Sequence, residues 1–128
     1  MKTWKKKLIL VIAVLLFIAP FIDWEQANGM PSDEDGTWNG YDISTIFDAE
    51  FYLGRYGDLS HMDEQQALRH FINHGMSEGR QGHENFNVHA YRERYPDLQN
   101  AFGEDLPSFY LHFLSHGKDE GRNGRLEE

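Results

Sequence analysis

The chain has 128 residues, no cysteine, and 21 acidic against 12 basic residues, a net charge of −9 with neutral histidines. Its length suits one modest domain behind an N-terminal segment, and the missing cysteine excludes a disulfide framework, a lipid-modified cysteine and thiolate metal ligands. Lys2, Lys5, Lys6 and Lys7 precede the first acidic residue, so residues 23–128 set eight basic residues against all 21 acidic ones and carry −13. That balance argues against nucleic acid as a partner, because phosphate binding is driven by lysine and arginine.

Residues 1–22 read as an export segment: a lysine-rich start, then the apolar run from Leu8 to Ile18. The run is shorter than the ~20 apolar residues that span a bilayer, which favours a signal peptide, while Ala19 and Ala27 are both poor cleavage positions. A cleaved signal and an uncleaved signal-anchor stay open. Both place the remainder outside the cytoplasm, secreted or membrane-anchored, with membrane contact through this segment alone.

Residues 23–44 carry Asn28-Gly29, Pro31-Ser32, the run Asp33-Glu34-Asp35-Gly36 and Asn39-Gly40. These breakers lack a hydrophobic period, so a flexible acidic spacer is expected. Trp38, Tyr41, Ile43 and Ile46 at its end are expected to dock it onto the domain, the alternative being a tryptophan presented to a glycan.

Beyond the spacer the sequence runs twice. Phe47, Tyr52, Arg55, Tyr56, Asp58 and Leu59 return 39 positions later as Phe86, Tyr91, Arg94, Tyr95, Asp97 and Leu98. From His70 the offset is 42, so His70-Phe71, His74-Gly75 and Glu78-Gly79-Arg80 return as His112-Phe113, His116-Gly117 and Glu120-Gly121-Arg122. The three extra residues lie between Leu98 and His112, marking a connection. The units are placed at 45–84 and 85–128.

Each unit reads as helix-turn-helix. Asp48 and Asn87 are good N-caps, and Phe47 with Tyr52 and Phe86 with Tyr91 fit hydrophobic staples. Tyr56 and Tyr95 extend that face, and Gly57 or Pro96 then stops the helix. Asp58 and Asp97 read as turn or capping carboxylates. Asp63 with Gln66 resembles a capping box, and Leu68, Phe71, Ile72 and Gly75 fall on one helical face. Unit two has the broader face Leu106, Phe109, Tyr110, Phe113 and Leu114. Gly75 and Gly117 are expected to end these helices in the left-handed conformation. The fold class is thus all-α: two tandem helix-turn-helix units packed as one small domain behind an apolar export helix. Two units are few for a stack, so face-to-face packing or self-association is expected.

The wording F-D-x-x-Y-Y, Y-P-D-[LV], H-[FY], G-x-x-E-G-R resembles a short tandem repeat of secreted and surface-attached bacterial proteins. Unit one departs from it with Gly57 in the proline position. The resemblance implies a surface location and supplies no catalytic residue.

The residues most able to carry chemistry are His70 with His74 and His112 with His116. Each pair is spaced i, i+4, which can chelate zinc, with Glu78, Glu120, His61, His83 or His89 as possible third ligands. Phenylalanine at 71 and 113 removes the general base of a zinc protease motif. The competing reading has the first histidine of each pair bonded to the Glu-Gly-Arg turn and the second as a polar helix end. Glu78 with Arg80 and Glu120 with Arg122 read as structural ion pairs rather than catalytic carboxylates. No nucleophile elbow, phosphate loop or calcium loop is present. The expectation is a non-catalytic extracytoplasmic module with structural or protein-binding work, without a cofactor. A cell-wall or glycan-binding module is the alternative and a zinc-binding module the third.

Overall fold

Two residues with positive φ, Asn39 and Gly40, make the first turn of the structure. A two-residue hairpin requires that conformation at both central positions, and asparagine and glycine reach it at least cost. Here they join strands β1 (Thr37–Trp38) and β2 (Tyr41–Asp42), which pair antiparallel with Trp38 opposite Tyr41. The computed structural model describes residues 36–127; the export segment and most of the acidic spacer lie outside the described residues. The end of the expected flexible spacer is therefore an ordered hairpin. Trp38, Ile43 and Ile46 are buried in the core, so Trp38 is not presented to a glycan.

The rest is mostly helical. Helix α1 (Ala49–Arg55) is capped by Asp48, whose carboxylate accepts from the Phe51 amide at 2.8 Å. Asn87 caps α3 (Val88–Arg94) in the same way, accepting from the Ala90 amide at 3.0 Å. Both staples form, with ring centroids 5.5 Å apart for Phe47 and Tyr52 and 5.3 Å for Phe86 and Tyr91. The capping box of Asp63 and Gln66 opens α2 (Glu64–His70) in both directions.

Tyr56 and Tyr95 end the first helices, but the next segment differs between the copies. Gly57–Leu59 is a single 3₁₀ turn, whereas Pro96–Phe102 is a helix, α4. Proline suits the first helical position because no partner is needed there for its missing N–H. The three extra residues thus turn a connecting turn into a helix, and the second copy has three helices where helix-turn-helix was expected. Its last helix is α5 (Leu106–His112).

Both α2 and α5 run on into π-helical segments, Phe71–Gly75 and Phe113–Gly117. Gly75 has φ −60°, so it is an ordinary right-handed residue and not the left-handed terminator expected of it. Termination falls four residues later, at Gly79 (φ 75°) and Gly121 (φ 77°). There the Arg80 amide donates to the Gly75 carbonyl and the Gly79 amide to that of Met76, the paired bonds of a Schellman end. Arg122 and Gly121 repeat both bonds. Gly75 and Gly117 are glycines for another reason: a Cβ on either would collide with the hydroxyl of Tyr52 or Tyr91.

One core runs through both copies. Tyr110 on α5 is fully buried, 5.5 Å from the rings of both Phe71 and Phe86, and its hydroxyl donates to the Arg80 carbonyl at 2.6 Å. The helical turn Met76–Glu78 packs on α5, and β2 packs against Phe113–Gly117. Among the described residues, no helix is long and apolar enough to cross a membrane.

Candidate functional site

The residues shared by the two copies meet in a polar network that occurs twice. Arg80 grips Asp58 with two prongs, Nη1 to Oδ1 at 3.1 Å and Nη2 to Oδ2 at 3.0 Å, while its Nε donates to Glu78 at 2.8 Å. Arg122 grips Asp97 at 3.1 and 2.8 Å and donates to Glu120 at 2.8 Å. Each guanidinium lies 4.7 Å from a tyrosine ring, Arg80 over Tyr56 and Arg122 over Tyr95. Planar arginine suits this combination of carboxylate fork and aromatic face, which lysine does not reproduce. Hydrogen bonds to the arginines hold the Asp58 and Asp97 carboxyls below their ordinary range.

The expected ion pairs of Glu78 with Arg80 and Glu120 with Arg122 are therefore present, as half of each grip. Asp58 in the 3₁₀ turn and Asp97 in the first turn of α4 are turn carboxylates, as expected, and are in addition the two-pronged partners of the arginines. Their recurrence beside the recurring arginines was the signal available in the sequence. Tyr56 and Tyr95 also accept from the amides of Gln81 (2.7 Å) and Asn123 (2.6 Å), tying the end of each copy to its first helix.

The histidines divide in two. His70 and His112 bond tyrosines, not the Glu-Gly-Arg turns: the hydroxyls of Tyr52 and Tyr91 lie 2.9 Å from the two Nδ1 atoms. Both tyrosines are fully buried. Their hydroxyl protons have that nitrogen as acceptor, which assigns each imidazole the tautomer with its proton on Nε2. His74 and His116 are exposed, with ring centroids 5.4 and 5.7 Å from their partners. The structure thus brings the members of each pair together. Among the described residues, however, no group of three His, Asp or Glu side chains is placed to hold a metal ion. His89 instead sits against Gly79, and His83 accepts from the Asn85 amide.

Among the described residues, no buried side-chain nitrogen or oxygen lacks a hydrogen-bond partner. Tyr41 and Leu126 are the large hydrophobic side chains left exposed there. Compared with protein-family models, curated proteins and solved structures, the chain matches none.

Burial, then the neighbouring Arg80 and His74, lowers the pKa of His70; burial lowers that of His112, with Arg122 and His116 adding to it. A base whose folded pKa is depressed binds fewer protons folded than unfolded, so stability rises with pH through that window. Protonation also puts a second proton into the Tyr–His bond. The melting temperature is expected to fall as pH drops below 6.5, the unperturbed histidine value, before carboxylates titrate. A melting temperature constant between pH 7 and 5 would contradict it.

Proposed function

We propose that the chain is a non-catalytic extracytoplasmic module, duplicated from one helical unit, that does structural or protein-interaction work in a bacterial surface or secreted protein. The observation that supports this reading most is where the repeated polar residues are spent. Arg80, Asp58, Glu78, Tyr56, Tyr52 and His70 bond one another or the backbone of their own copy, and the second copy does the same with Arg122, Asp97, Glu120, Tyr95, Tyr91 and His112. A catalytic set has polar atoms directed at a reacting group, whereas this set closes on itself. The resemblance to the bacterial surface repeat and the lysine-led apolar start support the location.

Removing both acceptor hydroxyls, Tyr56→Phe with Tyr95→Phe, is expected to destabilise by about 1–2 kcal/mol per site, because two part-buried amides lose their partner. Unchanged melting of the double variant would sink the structural reading of the repeated residues. Location is tested separately by adding protease to intact bacteria expressing the full chain. Residues after the export segment should be cut, or found in the medium; a fully protected chain inside the cells would refute an extracytoplasmic module.

A further inference from the structure

The end of the first copy is a seat for the second. Tyr110 lies 5.5 Å from the Phe71 ring and donates to the Arg80 carbonyl, α5 packs on the turn Met76–Glu78, and Leu106 sits against Gly79. Met76 is buried there. At the repeat offset, the counterparts of Phe71, Met76, Gly79 and Arg80 are Phe113, Lys118, Gly121 and Arg122. These are the residues on which a third copy would stand.

The hairpin stands there instead. Strand β2 packs against Phe113–Gly117, and Ser44 and Thr45 line an open groove of about 340 Å³ together with Phe113 and Arg122. Lys118 also faces this segment: the Ser44 amide holds the Asp42 carboxyl below its ordinary range, and the charge of Lys118 adds to that effect. The outer rim of the second seat differs from the first. Lys118 replaces buried Met76 and is exposed. A Cβ on Gly121 would meet nothing within 4 Å, whereas one on Gly79 would meet His89 and Leu106. An apolar seat covered by something other than a copy, with a polar residue on its rim, is how a repeat array is ended.

We infer that the hairpin is the end cap of the stack, covering the seat of the second copy and so keeping it from binding a copy of this chain on another molecule. The inference rests on the reading of the chain as a duplicated module and names the surface by which such modules would associate. It also accounts for how two copies suffice. A stack of two leaves an apolar end, and a two-stranded hairpin is marginal by itself. Each supplies the surface that the other lacks.

The test is sedimentation of the full chain over a wide range of concentration, in a non-ionic detergent that masks the apolar run from Leu8 to Ile18. Gly40→Val puts a β-branched residue at φ 83°, which strains the turn, although the added Cβ touches nothing. Gly103→Val is the matched control, with φ 60° and equally open space, in the turn between α4 and α5. Deleting Thr37–Asp42 removes the cap outright. The unaltered chain and Gly103→Val are expected to keep one mass at every concentration, while Gly40→Val and the deletion gain mass as concentration rises. Adding Lys118→Met to the deletion restores the methionine of the first seat and should tighten association about threefold or more. A constant mass in the deletion variant would overturn the inference, as would association of Gly103→Val equal to that of Gly40→Val. Either result leaves the melting of the Tyr56 and Tyr95 variants, and the module reading that rests on it, to be judged separately.

Discussion

Gly117→Ala should cost ~3 kcal/mol, within the range for overpacking a filled core, although alanine is the better helix former. The added methyl would sit against the Tyr91 hydroxyl, the end of a side chain that in an open site would swing away. Here it is held: Tyr91 is fully buried, bonded to His112, and packed against Phe86, Tyr95 and Phe113. The decisive comparison is the double variant. Tyr91→Phe removes the oxygen, leaving the ring Cζ at 3.2 Å as the nearest aromatic atom of that residue, so Gly117→Ala in that background should cost at least 1 kcal/mol less than alone. Gly75→Ala with Tyr52→Phe should behave alike. Denaturant melts of the four proteins measure the coupling, and strict additivity would show that the hydroxyl is not what demands glycine.

Tyr110→Ala should be the most damaging single change, about 3–5 kcal/mol, from the cavity left between the two copies. Tyr110→Phe separates volume from polarity. It keeps the contacts with Phe71 and Phe86 and leaves the Arg80 carbonyl without its donor, at roughly 1–3 kcal/mol. Because this residue bonds the first copy from the second, the alanine variant should also make unfolding less cooperative, with the two copies' signals separating along the denaturant axis. Coincident transitions at unchanged midpoint would show that the copies do not depend on it.

Features decided within five residues are legible in the sequence. The caps Asp48, Asn87 and Asp63 form as expected because their partners lie three positions on, and both staples because theirs lie five positions on. Contacts across the chain are not legible. Asp58 meets Arg80 over 22 positions and Tyr52 meets His70 over 18, and no local pattern distinguishes an aspartate in a turn from one held by a distant arginine. Gly75 misleads because glycine answers two demands, left-handed backbone and absence of a side chain, which look alike in sequence; Gly79, four residues on, meets the first. Asn39-Gly40 reads as a break in the chain although the pair is also a hairpin signal, since strands of two residues are too short to alternate. In the histidine pairs the helical spacing is legible, but the tautomer is set by buried tyrosines one helix away.

The hairpin's contact with Phe113–Gly117 bears on how the molecule is made. Residues 41–42 leave the ribosome some seventy positions ahead of the segment they rest on. Local helices can form as they emerge, but β2 meets its partner segment only after the second copy has been made. Contacts so far apart slow folding, since the intervening loop must be closed first. A nascent chain halted after the first copy would therefore carry a hairpin that lacks the second-copy segment on which β2 packs, and that packing is completed only once Phe113–Gly117 has been made.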